Sequence, residues 1–516
     1  MCRIRGCRTA QININPFGGF FALFRRHEKV HIFHVSVLFF QAAWVMKKFL
    51  TMKKKNIVFA ILCFSLCAAL AFCLSSCLAV DYGSSGGTED GSGNFDGDSS
   101  DGTGGNVISA TLDAPVKEGY GDNDTTQKRG FGYNNLNTAQ VDALSQDGKV
   151  TWAYNWAITP GNSNSIGAGE VAYIPMIWGG SFDETFLRAY LDANKDRVKC
   201  LLGFNEPNMG GNEGGCYMLP KTAAELWPKL EKIAEDYDLY LISPAMTYSG
   251  ATLSDGKNYG TPESWLDEFI REYKKRNDGK APRMDYIALH SYMMWAGSVN
   301  EGYADKYAKM YGRKIFMTEF CSWWDNEGKD NSEAVQVQEM AQKIEAMDQN
   351  PNVAAYAWFM ADGEYNDRPW NCLFKGKSSS QLSLAGKVYA YLGNTKGKRF
   401  NAGETIPVYE YTTSSNYNRA KGGNGYDNRW KAISENDDEQ SKANVQFVLT
   451  FQKGNYANYA VNVETAGEYK ITVRLKVGSG AWQNRETTAA FEAGAQTLKY
   501  TADNEHAVAW IKFEKK

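Results

Sequence analysis

Eight short apolar runs alternate with longer polar and amphipathic segments between Lys128 and Gly393, and that alternation leaves few folds open to the chain. The runs are RGFGYN (129–134), VTWAYNW (150–156), VAYIPMIWG (171–179), KCLLGFNE (199–206), LYLISPAM (239–246), DYIALHSY (285–292), KIFMTEF (314–320) and VAAYAWFM (353–360). Between them, TAAELWPKLEKIAEDY (222–237) and SEAVQVQEMAQKIEAMDQ (332–349) read as helices. In the first, Ala224, Leu226, Leu230 and Ile233 recur near helical spacing. About eight strands and their helices in roughly 265 residues are the signature and size of a (β/α)8 TIM barrel. A doubly wound open sheet is the competing α/β arrangement, but no Gly-rich phosphate loop follows the first strand.

Beyond Asn401 the texture changes. GNYANYAVNVETAGEYKITVRLKV alternates apolar and polar residues about a turn at Glu464–Glu468, and TLKYTADNEHAVAWIKFEK supplies two more short strands. No long helical pattern occurs there. The expected organisation is a barrel over 107–400 followed by an all-β sandwich, a jelly-roll, over 401–516.

The N-terminal part reads as targeting rather than fold. From Met52 the chain runs MKKKNIVFAILCFSLCAALAFCLSSC: a lysine run, an apolar stretch, then small residues before Cys77. That order marks a bacterial secretory signal with a lipoprotein cleavage box, so residues 46–77 are expected to be a signal peptide and Cys77 the lipidation site. A transmembrane anchor is the other reading, since the stretch is nearly long enough to span. The polar segment that follows Cys77 at once favours the lipoprotein. The expectation is therefore an exported lipoprotein held to the outer membrane by an N-terminal lipid anchor, on its periplasmic or cell-surface face. Residues 1–45 read as a misread upstream start, with Met46 or Met52 the better initiator. Residues 78–106, nearly free of apolar side chains, read as a flexible acidic Asp/Gly/Ser tether that holds a folded body away from its anchor.

Six of the ten cysteines lie at or before Cys77, leaving Cys200, Cys216, Cys321 and Cys372. Four in so long a stretch make no disulfide framework, and none forms a CxxC pair suited to zinc. A net charge of −3 offers no basic footprint for nucleic acid. With 14 Trp and 29 Tyr the chain is rich in rings, which suits stacking on pyranose faces as well as core packing.

In a barrel the C-terminal tip of each strand faces the active-site mouth. KCLLGFNE ends on Glu206, and KIFMTEF presents Thr318 and Glu319. Two carboxylates at the tips of strands 4 and 7 can face each other across that mouth. Glycosidic cleavage needs such a pair: one protonated to donate to the leaving oxygen, one ionised to attack or stabilise the oxocarbenium-like centre. Low dielectric and mutual repulsion would raise one pKa and leave the other carboxylate charged. Asn205 suits a hydrogen-bond donor to a sugar hydroxyl, or else a local backbone cap. His290, at the tip of strand 6 beside Tyr292, is placed to orient a carboxylate. As the single histidine of the barrel it excludes a multi-histidine zinc site, so neither metal nor cofactor is expected. Trp178, Trp295, Trp323, Trp324 and Trp358 fall at or just past strand ends and fit a lined sugar cleft, with core or rim packing as the bland account. Asn155, at the end of strand 2, completes the substrate-binding set.

KRGFGYNN, VTWAYNW, YIPMIWG, LLGFNEPN, LISPAMT, ESWLDEFI and IFMTEF resemble, in order, segments of glycoside hydrolase family 128, the Asl1-like glycosyl hydrolase catalytic domain. The resemblance covers about residues 128–393. It implies a retaining (β/α)8 enzyme acting on β-1,3-glucan, with the acid/base glutamate of GFNEP on Glu206 and the nucleophile of TEF on Glu319. The family's strand-6 histidine falls on His290, followed here by Ser291-Tyr292 where Trp-Tyr is usual. That serine and the longer NMGGNEGGCYML loop after strand 4 are departures that bear on subsites and chain-length preference. The C-terminal region resembles a family 6 carbohydrate-binding module, with Tyr456 in place of a common tryptophan. Tyr426, Trp430 and Trp482 are aromatics that bind a glycan or pack the sandwich.

The leading expectation is an endo-β-1,3-glucanase working by two-glutamate double displacement on a β-glucan polysaccharide. Two alternatives stand beside it: a retaining hydrolase of another β-glycan such as xylan or galactan, since specificity resides in loops, and a non-catalytic glycan-binding surface lipoprotein.

Overall fold

The computed structural model describes residues 12–14, 20–26, 29–32, 108–120, 128–146, 149–161, 165–293, 296–324, 333–363, 369–393, 398–415, 429–434 and 445–516. The chain divides into two compact units, Met1–Thr103 and Gly104–Lys516. In the first, Ile12–Ile14, Phe20–Arg26 and Lys29–Ile32 pair antiparallel in chain order. Cys77, the signal segment, the acidic tether, Trp295 and Tyr426 lie outside the described residues.

The second unit opens with an α/β fold around a parallel central sheet. Its strands are β1 (Arg129–Gly132), β2 (Val150–Tyr154), β3 (Ala172–Tyr173), β4 (Cys200–Leu202), β5 (Tyr240–Ile242), β6 (Ile287–Met293), β7 (Ile315–Trp324) and β8 (Val353–Trp358). Its helices are α1 (Thr138–Ser145), α2 (Glu184–Asn194), α3 (Pro220–Asp236), α4 (Pro262–Arg276), α5 (Lys306–Tyr311), α6 (Glu333–Gln349) and α7 (Leu384–Tyr391). Six strands hydrogen-bond in the order β3-β2-β1-β8-β7-β6, and β4 pairs with β5. Single parallel bridges, Met176 to Leu202 and Ile242 to Tyr286, link that pair to the segments beside it. Between β2 and β3, where a crossover helix would be usual, the described residues form bends and turns.

Local chemistry explains where several helices start. Asn137 and Gln140 form a capping box on α1; Asp183 caps α2, and Thr261 caps α4 with Pro262 in the first turn. The strands then sort their side chains by period-two alternation. On β8, Ala355 and Ala357 join an inner cluster with Trp152, Tyr154, Met176, Leu202, Ile242 and Phe316. Tyr356 and Trp358 point the other way, into the layer shared with the helices. Gly130 on β1 is small for a physical reason: a Cβ there would lie 2.3 Å from the Trp152 indole.

The C-terminal part forms two β-sheets from β9 (Phe400–Asn401), β10 (Thr405–Pro407), β11 (Thr413–Ser414), β12 (Trp430–Ser434), β13 (Val445–Phe451), β14 (Tyr456–Val463), β15 (Gly467–Lys476), β16 (Gln483–Phe491), β17 (Gly494–Thr501) and β18 (His506–Lys515). One sheet centres on β14, flanked by β9, β11 and β17; the other runs β12-β13-β18-β15-β16, with β10 also on β18. Trp430 is fully buried and stacks on Phe447 at 5.0 Å, so it packs these sheets rather than offering a face to a glycan.

Candidate active site

Glu206 follows β4 by four residues, in a stretch still tied to its neighbour by an Asn205–Ala245 bridge. Its φ of +43° is uncommon for a side chain with a Cβ and is held from both sides. The Glu206 amide donates to the Ala245 carbonyl at 2.9 Å, and the Glu206 carbonyl accepts from Met209 at 3.0 Å. The long loop after β4 closes over this backbone through Gly215, where a Cβ would come within 2.5 Å of the Glu206 carbonyl oxygen.

Glu319 lies within β7 rather than at its tip, because the strand runs on to Trp324. Its register partner on β6 is His290. His290 Nδ1 sits 2.7 Å from Glu206 Oε1 and 3.3 Å from Glu319 Oε2. All three side chains are buried, and the oxygen or nitrogen that each contributes lies within 4.8 Å of the others. A cation could be held by these three groups, but a proton shared between His290 and the carboxylates already satisfies the same contacts.

Four donors converge on Glu319. The Tyr154 hydroxyl donates to Oε1 at 3.0 Å and Trp156 Nε1 donates to the same oxygen at 2.8 Å. The Tyr292 hydroxyl donates to Oε2, which His290 also faces. For Glu206 the hydrogen bond found is the one to His290. Burial pushes the Glu319 carboxyl above its usual range and the Glu206 charge adds to this, while His290, Tyr292 and Trp156 pull it down. Burial also disfavours a charged His290, yet Glu319 and Glu206 outweigh it and hold the imidazolium above its usual 6.5. The proton on His290 and the charge on Glu319 therefore depend on each other, with the ring facing both acids.

The remaining sequence candidates divide. Trp178 is 42% exposed, and its carbonyl accepts from the Asn205 amide at 2.9 Å, so its ring stands free beside Asn205. Asn205 Nδ2 donates to Gly214 at 3.3 Å, leaving Oδ1 buried without a partner. This reverses the expected donor role: the open position is an acceptor, suited to a sugar O–H. Trp358 does not line the cleft. It is fully buried, donates to the Asn371 carbonyl at 2.8 Å and packs on Phe320, because alternation turns it to the helix side of β8. Asn155 accepts from Tyr173, away from the acids, while its neighbours Tyr154 and Trp156 reach Glu319. Trp323 and Trp324 end β7, and their side chains lie outside the described set.

Sequence reasoning missed Tyr154 and Trp156. Their signal was present in VTWAYNW, where alternation puts Tyr154 on the inner face with Trp152, and Trp156 follows two residues on, just past the strand end. It also missed the exposed rings of Tyr217 and Tyr248 on the loops after β4 and β5.

Residues 130–389 match the family model described as "Glycosyl hydrolase catalytic core". Among solved structures, the chain is similar to a GH128 (subgroup II) endo-β-1,3-glucanase from Pseudomonas viridiflava, at 29% identity over 51% of this chain and 96% of that one, with a TM-score of 0.44. It is also similar to a GH128 (subgroup I) endo-β-1,3-glucanase from Amycolatopsis mediterranei in complex with laminaritriose, at 25% identity over 51% and 98%, TM-score 0.39. A third is a GH128 (subgroup III) curdlan-specific exo-β-1,3-glucanase from Blastomyces gilchristii in complex with glucose, at 25% identity over 53% and 99%, TM-score 0.39. No curated protein matches.

Proposed function

The chain belongs to the glycosyl hydrolase catalytic core family, and from that premise we propose that it is a retaining β-1,3-glucan hydrolase with Glu319 as nucleophile and Glu206 as acid/base. The observation that carries the reading is the convergence of both carboxylates on His290, with one oxygen of each within 4.8 Å of the other. Retaining glycosidases hold their carboxyl groups about 5–5.5 Å apart, whereas inverting enzymes need roughly 6.5–9.5 Å to admit a water between them. The close spacing supports double displacement.

The donor arrangement supports the division of roles. Glu319, with Tyr154, Trp156 and Tyr292 donating to it, is held as an oriented anion ready to attack the anomeric carbon. Glu206, hydrogen-bonded to His290, takes its proton from a shared store and delivers it to the departing glucosyl oxygen. After the glycosyl–Glu319 ester forms, Glu206 accepts a proton from the water that hydrolyses it. Asn205 Oδ1 accepts from a sugar hydroxyl beside the reacting carbon, and Trp178 offers a stacking face. The strand pairings, with single bridges from Met176, just past β3, to β4 and from β5 to Tyr286, just before β6, support a closed (β/α)8 barrel as the frame. β-1,3-Glucan as substrate and endo action rest on the ordered sequence segments. Lipid anchoring through Cys77 and a carbohydrate-binding role for the C-terminal sheets extend the same reading. A Cys77→Ser variant that still incorporates labelled palmitate would remove the anchor.

The test is chemical. A 2-fluoro glucosyl reagent should leave a covalent adduct on the peptide containing Glu319. Glu319→Gln should lose release of reducing ends from laminarin, by at least about 10⁴-fold, while binding persists. Glu206→Gln should spare aryl glucosides with good leaving groups, which need no proton donor. Full laminarin turnover by Glu319→Gln, or products with inverted anomeric configuration, would overturn the assignment. A panel including xylan and galactan separates the substrate from the mechanism.

A further inference from the structure

The β6–β7 ladder breaks beside the reacting carboxylate. Partners run Glu319–His290 and Phe320–Ser291, then jump to Trp324–Met293, with further irregularity between Met317 and Glu319. Four steps along β7 thus match two along β6, and backbone carbonyls in the gap lose their regular ladder donors. Two side chains of α6 meet them: Gln336 Nε2 donates to the Ser322 carbonyl at 2.7 Å, and Lys343 spans both strands. Lys343, fully buried on α6, donates through Nζ to the Cys321 carbonyl at 2.7 Å, to Ser322 Oγ at 3.0 Å and to the Met293 carbonyl. Met293 follows Tyr292 directly, and Cys321 lies two residues beyond Glu319.

From this geometry we propose that Lys343 is a positioning residue for the reaction: its Nζ clasps the ends of β6 and β7 and so fixes Tyr292 against Glu319. The inference rests on the reading of Glu319 as the reacting group. A lysine enclosed this way satisfies three acceptors at once, which no apolar residue of the same length can do. Burial pulls its amine down to about 8 against the charge of Glu339, so at neutral pH it still carries three N–H donors, two of which an amide side chain can supply. An uncharged donor should therefore replace it in part.

Lys343→Met should lower kcat on laminarin about ten- to a hundredfold with KM within about twofold, because substrate contacts stay while the nucleophile is misplaced. Lys343→Gln, which keeps two donors, should recover part of that loss. Should both variants fail to fold, Ser322→Ala decides, with kcat lowered about threefold at unchanged KM. A folded Lys343→Met with wild-type kcat overturns the proposal, as does an unchanged Ser322→Ala if neither lysine variant folds. Amide exchange across 319–324, faster in Lys343→Gln and unchanged if the clasp is absent, reads the same point without activity. A wild type inactive on every polysaccharide would therefore sink the glucanase reading alone.

Discussion

Tyr292 reaches Glu319 from the neighbouring strand, and its hydroxyl lowers the pKa that burial raises. Tyr292→Phe removes a hydrogen bond to a charged group, worth about 1.5–3 kcal/mol, or roughly ten- to a hundredfold in kcat/KM. The sign of the accompanying pH shift follows from the same contact. As the proposed nucleophile, Glu319 has to be ionised to attack, so activity should rise as pH climbs through a value above its usual 4.5. Losing a donor that stabilises the anion moves that rising limb to higher pH. On the alkaline side, His290 keeps its proton above the usual 6.5, so the falling limb belongs above that value. A kcat/KM profile of wild type and Tyr292→Phe checks both statements; an acid limb that stays in place or moves down would remove the tyrosine from the site's electrostatics.

At the scale of elements, Arg129 ties the start of β1 to the helices behind it. The guanidinium is 1% exposed and donates to Tyr356 at 3.0 Å, to the Tyr389 carbonyl at 2.7 Å and to Asp348 at 3.0 Å. Burial raises the Asp348 carboxyl, but Arg129 and Lys149 outweigh it and hold it below the usual 3.8. Its contribution is therefore present above the unfolded value and is lost as pH falls through the lower folded one. Asp348→Ala leaves the arginine buried with only neutral acceptors and should destabilise by about 3 kcal/mol at pH 7. The gap to wild type should narrow only below about pH 3.8, as denaturant unfolding at several pH values would show. On the same strand, Gly130→Ala drives a methyl into Trp152 and should cost about 1–3 kcal/mol.

The C-terminal sheets are bound into the catalytic part through α6. Glu345 on that helix is buried, accepts from Tyr411 at 2.7 Å and pairs with Arg429. Two residues earlier on α6 stands Lys343, at the ends of β6 and β7. Deleting 401–516 would strip Glu345 of both partners and should lower the melting temperature of the remainder by about 5–10 °C. An unchanged transition would make the sheets an independent appendage. The catalytic alternation and both acids were legible from local pattern alone: a run such as KCLLGFNE declares its burial and its terminal carboxylate without reference to anything distant. Which side chains meet those acids was not. Trp358 and Asn155 make their contacts elsewhere, while Tyr154, Trp156 and Tyr292 reach Glu319. In a strand the face is set by register against neighbours far away in sequence, and a slip of one residue reverses every side chain. Apolar periodicity therefore settled which segments are strands and where acid follows them, and pairing between distant strands decided which groups surround the acid.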